Sequence, residues 1–573
     1  MKRRTFILFL LGAAGCAGHE ADFARSLAVK APADLVLRGG KIVTVDGDFS
    51  IREAVAIKDG RFLAVGTDRD VRPLIAPGTR VIDLAGRTVI PGLIDSHIHA
   101  TVAGLNWTTE LHWAMTRTLA DGLRQIAAAV KARPPGSWIV VGGGWVPTQF
   151  AERRFPTRAD LDALAPNHPV YIQYLREGAL LNSAALAAAG IAPGTPNPAG
   201  GRFERNLKTG EFTGWLQGAA AWQYAYEKIP PPTLDIVRQG LLDCFRELNR
   251  LGVTSISDLH TGGVTFAHRR VLGQMARSGE LSVRMNFYVG ANESGRGLEQ
   301  LKQTVAEIKT LPQNEVFRFG GFVAERIADA LQDGKTGSRA EQTKERFRQA
   351  ARFFADGGHN FQLRAPTDDS ARQLLDVLEE VHADVPFTRH RMVFAGLDDG
   401  TPETLERIKK LGGGISVNDR AVLTGERNVE RWGLEKARNT PPLRTMVQSG
   451  IRLGAGTDAF QSSNYSPMLA LWWLVAGKTV AGTEIRNPSQ NLTRAEALRL
   501  YTIGNAWLTL EEGRKGSIEV GKFADLAVLS ADYLTVPEEQ IRSLQSLLTV
   551  VGGRVVYAAA PFEQAGRSRG SRE

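Results

Sequence analysis

The sequence predicts a mixed α/β protein: a TIM (β/α)₈ barrel joined to a composite β-sandwich domain that both ends of the chain build. Three observations support this prediction. Apolar strand-like runs alternate with helical patterns through the middle of the chain, which is typical of a parallel barrel. Short strand-like runs punctuated by turn residues occur at both ends. One apolar run ends at His97 and His99, and functional side chains of barrels cluster at the ends of strands.

The composition is that of a globular protein and excludes several classes. The chain has 573 residues, of which 43% are hydrophobic and 23% charged, with a formal net charge of +9. The basic residues lack the interleaved aromatic residues of a nucleic-acid surface, so we expect no nucleic-acid partner. Only two cysteines are present, which excludes a disulfide framework and a cysteine-based zinc cluster.

Residues 1–23 read as an export signal. Lys2, Arg3 and Arg4 precede a short apolar run and then small residues up to Cys16. This pattern predicts a cleaved leader and an exported, periplasmic protein, and the paired arginines resemble a twin-arginine signal. The residues before Cys16 form a partial lipobox, so a lipid on Cys16 that tethers the protein to the membrane is left open.

The two ends of the mature chain predict one β-domain. Residues 34–90 and residues 516–557 each contain short strands separated by turns, and we expect them to pair with each other. Residues 558–573 are short, polar and basic, which predicts a disordered tail.

Residues 91–515 predict the barrel. An insertion at about 101–250 separates the first two barrel strands, and we expect it to fold beside the barrel mouth. The eight strands are predicted to end near His97, Asp258, Tyr288, Val323, Arg364, Ala395, Asn418 and Asp458.

The strongest local signal is residues 89–99, which read Val-Ile-Pro-Gly-Leu-Ile-Asp-Ser-His-Ile-His. Alternate residues of an extended chain share a face, so His97 and His99 point into the same space. At a barrel mouth both imidazoles can bind one metal ion. Two surface histidines on a strand end would be the alternative, and the preceding residues favour the metal site.

These motifs resemble the amidohydrolase superfamily, in particular the branch that includes N-substituted formamide deformylases. The resemblance covers nearly the whole mature chain. Its markers are residues 83–99, 252–255, 454–458, 492–498 and 516–526.

The resemblance implies one or two divalent metal ions, usually zinc, at the barrel mouth. The His-x-His of the first strand and the Asp of the eighth bind the first ion, and His97, His99 and Asp458 match these motifs. A carboxylated Lys on the fourth strand and His residues on the fifth and sixth complete the family site. A metal-bound water attacks an amide-type carbon, and the residue matching Asp458 takes its proton.

Three positions depart from that pattern. Val323 stands at the position of the Lys, Arg364 at the fifth-strand His and Phe394 at the sixth-strand His. We therefore predict a reduced site with one divalent metal ion, for which zinc is the first candidate. His260 is either a fourth ligand or a loop histidine.

The substituted positions suggest a binding surface for a small, partly hydrophobic substrate. Arg364 could clamp a substrate carboxylate or form a salt bridge, and Phe394 and Trp145 are predicted to contact substrate. The salt-bridge candidates for Arg364 are Glu325, Asp258 and Asp368, and the further aromatic candidates for the mouth are Trp107, Trp113 and Phe460.

The sequence therefore predicts an exported hydrolase of carbon–nitrogen bonds other than peptide bonds, with Asp458 as the catalytic base. Two alternatives remain at this stage. One is an inactive barrel that binds a small molecule or a partner chain, and the other is a non-hydrolytic enzyme such as a lyase. The resemblance also implies a homodimer.

Overall fold

The computed structural model describes residues 32–260, 263–290, 297–324 and 338–566. The predicted leader, with Cys16, lies outside the described residues. Eight parallel strands form one sheet in chain order, with the last strand beside the first. The barrel strands are Leu93–Ile98, Val253–His260, Arg284–Gly290, Phe317–Val323, Phe361–Ala365, Met392–Gly396, Gly414–Asn418 and Arg452–Gly456. Every predicted barrel strand is present, and the predicted TIM-barrel fold is confirmed.

The seam between the eighth and first strands positions the candidate site. The Asp458 N–H donates to the His97 carbonyl at 2.8 Å, and the His99 N–H donates to the Ala459 carbonyl at 2.9 Å. Lower in the seam, the Asn505 side chain hydrogen-bonds to backbone groups of both strands. The chain therefore brings its two motifs, more than 300 residues apart, to one point of the barrel mouth.

Helices separate the barrel strands, and several begin at threonine caps. Thr265, Thr367 and Thr401 each accept a backbone N–H from the first turn of the helix they precede, which satisfies groups that a helix start leaves unpaired. The main helices between barrel strands, in chain order, are Leu234–Arg250, Phe266–Arg277, Gly297–Ile308, Ser338–Gly357, Asp368–Asp384, Pro402–Lys410, Ala421–Trp432 and Leu443–Gln448. The main helices after the eighth strand are Pro467–Ala476 and Arg494–Arg499.

The β-domain is built from both ends of the chain, as predicted. In its six-stranded sheet, Leu526–Leu529 pairs antiparallel with Thr88–Pro91. That sheet has the order Arg554–Ala558, Ser546–Val551, Leu526–Leu529, Thr88–Pro91, Lys41–Val43, Ile51–Arg52, and the second sheet has the order Arg61–Gly66, Ala54–Lys58, Leu35–Arg38, Arg80–Asp83. Apolar residues of both sheets share one buried cluster, which makes the domain a sandwich.

The insertion folds as a six-stranded sheet with helices and contacts the loop after the eighth barrel strand. The Asn464 side chain of that loop donates to the Ala114 carbonyl at 2.6 Å, and Gly144 donates to the Gln461 carbonyl at 3.2 Å. In sheet order the strands are Arg202–Arg205, Phe212–Gln217, Gly178–Leu181, Val170–Tyr174, Ile139–Val141 and Glu110–Leu111. Its helices are Leu119–Ala132, Arg158–Leu164, Ser183–Ala188 and Ala219–Tyr226. The insertion thus lies beside the mouth.

The C-terminal boundary differs from the prediction. Residue 558 ends the strand Arg554–Ala558, and a short 3₁₀ helix at Glu563–Gly566 follows. The Ala565 carbonyl accepts a hydrogen bond from Arg80, so this segment packs against the β-domain. The predicted tail from 558 is therefore too long, and residues 567–573 lie outside the described residues. None of the helices in the described part of the chain is long and apolar enough to cross a membrane.

Candidate metal centre

Two imidazoles and one carboxylate meet at the barrel mouth. Nε2 of His97 lies 3.6 Å and Nε2 of His99 lies 3.3 Å from Oδ1 of Asp458. One ligand atom from each of these residues lies within 4.8 Å of the others, and no other such group of His, Cys, Asp or Glu occurs in the described ranges. The three predicted ligands therefore converge as the sequence predicted.

The environment of His99 selects the ring nitrogen that can bind a metal. Its Nδ1 lies 2.9 Å from the Leu259 carbonyl, which can only accept a hydrogen bond. The ring is then protonated on Nδ1, so the lone pair of Nε2 faces Asp458. A carbonyl partner of this kind fixes the ring orientation of metal-binding histidines.

Asp458 is held firmly in place. The residue is 1% exposed and has a backbone φ of +52°, a conformation that costs free energy for any residue with a side chain. Its Oδ2 accepts hydrogen bonds from Arg420, through Nε and Nη2, and from Asn418 at 3.5 Å. Oδ1 faces His97 and His99, while Oδ2 faces the guanidinium of Arg420. The carboxylate therefore lies between the two histidines and the arginine.

Asp95 supports the loop that carries these ligands. Its carboxylate accepts the Thr457 hydroxyl at 2.7 Å and the His97 N–H at 3.0 Å. Burial raises the pKa of Asp95 to about 6, and the hydrogen bonds from Thr457 and His97 oppose that effect. Asp95 therefore links the first-strand motif to the residue that precedes Asp458.

The register of the strands shows which side chains face the barrel interior. Nε2 of Gln362 on the fifth strand donates to the Ser96 carbonyl on the first strand at 3.1 Å, and these strands lie on opposite sides of the barrel. Gln362 therefore points inward. Val323 is its direct neighbour on the fourth strand and shares that face, and it packs with Leu259 and Tyr288. An apolar wall thus occupies this side of the interior.

The prediction for Phe394 is wrong. Arg364 follows Gln362 by two residues and so faces the same side, and its direct neighbour on the sixth strand is Ala395. Phe394 is instead in register with Leu363, which lies on the outer face, and it is fully buried in the main core. A one-residue slip in matching the sixth strand explains the error, and the inward position holds Ala395, which offers no ligand.

The prediction for Trp145 is also wrong, because this side chain forms part of the core of the insertion. Trp145 is 0% exposed, stacks on Phe150 with ring centroids 5.5 Å apart, and donates from Nε1 to the Gln173 carbonyl. Of the other aromatic candidates, Trp107 and Phe460 are partly exposed and contact each other edge to face at 5.4 Å. These two residues follow the ligand motifs of the first and eighth strands.

Two predictions cannot be compared with the structure in full. The strand that carries His260 is described, but the side chain of His260 lies outside the described residues. Glu325, one salt-bridge candidate for Arg364, also lies outside them. Another candidate, Asp368, accepts hydrogen bonds from the backbone and hydroxyl groups of Thr401.

Sequence reasoning missed Arg420. This residue comes two positions after the seventh strand, Gly414–Asn418, and its side chain is 39% exposed at the mouth. The available signal was its position, because side chains just past the carboxyl ends of barrel strands line the site.

The fold and the ligand group together define a metal-dependent hydrolase barrel. The chain belongs to the amidohydrolase family, whose match spans residues 80–557. It is accordingly a hydrolase that acts on carbon–nitrogen bonds other than peptide bonds, and this fold implies a divalent metal ion.

Relatives span almost the whole chain. The N-substituted formamide deformylase of Arthrobacter pascens is 29% identical over 546 residues, which are 91% of this chain and 98% of that protein. Among solved structures, an uncharacterized metal-dependent hydrolase from Pyrococcus horikoshii has a TM-score of 0.61 at 21% identity, with 88% of this chain and 99% of that chain covered. An adenosine deaminase from Xanthomonas campestris has a TM-score of 0.53 at 15% identity, with 92% and 93% covered.

Proposed function

We propose that this protein is an exported amidohydrolase that cleaves an amide-type bond of a small, partly hydrophobic substrate with a single divalent metal ion. The observation that carries the proposal is the convergence of His97, His99 and Asp458 at the mouth. The inward face of the fourth strand carries Val323 beside Gln362, and the next inward position of the fifth and sixth strands carries Arg364 and Ala395. These side chains support one ion rather than two.

The donor set suits zinc. Two imidazole nitrogens and one carboxylate oxygen are typical of catalytic zinc sites, which leave a coordination position open. His99 presents Nε2 because Nδ1 is engaged with the Leu259 carbonyl. When bound, the ion would polarise the amide carbonyl and lower the pKa of a water molecule.

The residues of the chain supply orientation and proton transfer. Asp458 is fixed by its contacts with Arg420 and Asn418, so its Oδ1 is presented toward the two histidines and is well placed to accept a proton from water. Arg420 adds a positive charge that can stabilise negative charge developing on the substrate. Trp107 and Phe460 offer apolar surface for the hydrophobic part of the substrate.

The leader gives the proposal its cellular setting. Residues 1–23 support export to the periplasm, and Cys16 is the site at which a lipid would anchor the mature protein. Mass spectrometry of the mature protein tests both points: loss of the leader is expected, and an intact Met1 on exported protein would contradict it. The homodimer stays a prediction, which light scattering of the purified protein can check.

Reconstitution with metal tests the activity. We expect the chelator-treated protein to be inactive toward N-benzylformamide and related small amides, and one equivalent of Zn²⁺ to restore hydrolysis. Asp458→Asn should not recover, because it loses the proton acceptor. Asp356→Asn, a matched change at an exposed position, should recover fully. No hydrolysis of such amides by folded wild-type protein in any metal state would contradict the proposal.

A further inference from the structure

We propose that the protein binds a small monovalent anion such as chloride at the buried guanidinium of Arg486, next to the end of the helix Pro467–Ala476. This site is separate from the metal ligands and goes beyond the proposed hydrolysis. It is defined by a buried positive charge and by one edge of the guanidinium whose donors have no partner.

The backbone holds Arg486 inside the protein. The residue lies in the segment 477–491, which folds back onto the end of the helix Pro467–Ala476, and its own N–H donates to the Gly477 carbonyl at 3.1 Å. Gly477 has a φ of +67°, and a Cβ there would lie 2.5 Å from Oδ1 of Asn491 and 3.0 Å from Cβ of Arg486. The side chain of Arg486 is 0% exposed. Its charged end therefore does not reach water, as the ends of most arginine side chains do.

One nitrogen of the guanidinium has partners within the protein. Nη1 donates to the carbonyls of Trp473 and Leu474, each at 3.2 Å, and lies 3.5 Å from Oδ1 of Asn491. The two carbonyls belong to the last turn of the helix, where the partial negative charge of the helix end favours a cation. The guanidinium carbon also lies 4.2 Å from the centroid of the Trp473 ring, which adds a cation–π attraction. These contacts supply partial charges but no full negative charge.

The opposite edge of the guanidinium is unpartnered. Nε and Nη2 of Arg486 are buried and have no hydrogen-bond partner. The N–H groups of these two nitrogens are parallel, and this is the edge by which arginine binds an anion through two hydrogen bonds. Nε1 of Trp473, in the ring that the guanidinium covers, is also buried without a partner. Buried donors of this kind cost free energy unless a ligand accepts from them.

The charge of Arg486 also lacks a counterion. Within the described part of the chain, this guanidinium forms no ion pair, although the exposed arginines nearby do. Burial lowers the pKa of Arg486 to about 9, and no acidic group offsets that effect. A buried charge without a counterion is much more costly than an unmade hydrogen bond. An anion supplies both the charge and the acceptor, whereas water supplies only the acceptor. Complete burial favours a monatomic ion over a bulkier carboxylate or phosphate.

Anomalous scattering from bromide tests the position of the site. Bromide is close to chloride in size and charge, and it is distinguished from water by its anomalous signal. Crystals of the wild-type protein grown with sodium bromide should show an anomalous peak within hydrogen-bond distance of Nε and Nη2 of Arg486. An ordered water molecule without an anomalous signal at that place, or no density there, would overturn the proposal.

Stability in solution distinguishes a resident anion from bromide bound only at crystal concentration. At constant ionic strength, replacing the bulky anion gluconate by chloride or bromide should raise the urea midpoint of the wild-type protein. Above the dissociation constant, each tenfold increase in halide should shift the ratio of folded to unfolded protein about tenfold toward the folded state. A wild-type midpoint that does not depend on halide would overturn the proposal, even with a bromide peak in the crystal.

A pair of arginine variants assigns the halide effect to one side chain. Arg486→Met removes the charge and both open donors, so its midpoint should not depend on halide. Arg542→Met is the matched control, because this guanidinium lies 4.7 Å from the centroid of the Trp472 ring but is 39% exposed and paired with Glu539. It should keep the full halide dependence of wild type. The same dependence in folded Arg486→Met would overturn the proposal. If Arg486→Met does not fold, the wild-type titration and the bromide crystal decide the question.

Discussion

Glu511 and Lys515 form a buried ion pair beneath the barrel, and replacing Glu511 should cost several kcal/mol of stability. Lys515 Nζ lies 2.6 Å from Oε2 of Glu511, and both side chains are at most 3% exposed. Asn286 also donates to Glu511 at 2.6 Å, and Lys515 donates to Ser255 at 2.6 Å. The pair therefore links the end of the barrel sequence to the starts of the second and third strands.

The expected magnitude follows from the burial of the pair. Glu511→Gln leaves Lys515 charged and without its carboxylate in the interior, a change that costs about 3–5 kcal/mol. The double variant Glu511→Leu with Lys515→Met removes both charges and should recover a large part of that loss. Glu299→Gln, which breaks an exposed pair with Lys302, should change stability by less than about 0.5 kcal/mol.

The pH dependence provides an independent check with a definite sign. Burial raises the pKa of Glu511, but Lys515 and Arg318 outweigh it and lower the pKa to about 2. Because the pKa of Glu511 in the folded protein lies below its ordinary value of 4.5, its contribution to stability is present above pH 4.5 and is lost as the pH falls toward 2. The shift corresponds to about 3 kcal/mol.

Urea unfolding, followed by circular dichroism at several pH values, measures this effect. Wild type and Glu511→Gln should differ most above pH 4.5 and converge as the pH falls. A Glu511→Gln midpoint equal to that of wild type at pH 7 would refute the reasoning, since the pair would then contribute nothing to the barrel.

Three further predictions concern packing and charge. Trp145→Ala should cost about 3–5 kcal/mol in urea unfolding, with the KM of the folded fraction unchanged, because the side chain is buried in the insertion. A Trp145→Ala variant with a raised KM and unchanged stability would instead show that Trp145 contacts the substrate. Glu177→Gln, which breaks a half-exposed pair with Arg427, should cost at most about 1 kcal/mol; a larger urea-midpoint change would show that this pair secures the insertion. Burial lowers the pKa of His390 to about 4, so the free energy of unfolding should fall as the pH falls from 6.5 toward 4. His390→Phe should flatten this dependence of stability on pH, and an unchanged dependence in the variant would contradict the prediction.

The barrel could be predicted because its signals are local and repeated. Each strand is a short apolar run between helical patterns, and pairing in chain order follows from the parallel topology. The pairing of the two chain ends followed from their shared strand-rich pattern. The end of the β-domain was harder to predict, because residues 559–566 are held through their backbone groups, for example by the hydrogen bond that the Arg80 side chain donates to the Ala565 carbonyl. Composition carries no signal for such contacts.

The sequence predicted correctly those site residues whose direction is fixed by a local motif. It failed for residues whose direction depends on the exact register of a strand. His97 and His99 alternate on one strand, so their shared direction follows from the sequence. Phe394 was misplaced because a shift of one residue turns a strand side chain to the opposite face. Arg420 was missed because its contact with Asp458 depends on how two loops meet in space.

The number of metal ions per chain tests the central claim most directly. Elemental mass spectrometry of the purified protein compares wild type with His97→Ala and with the half-buried control His268→Ala, a histidine on the helix Phe266–Arg277. We expect one divalent ion per chain in wild type and in His268→Ala, and at least a tenfold lower occupancy in His97→Ala. Two ions per wild-type chain, or one ion retained in His97→Ala, would contradict the single-metal site.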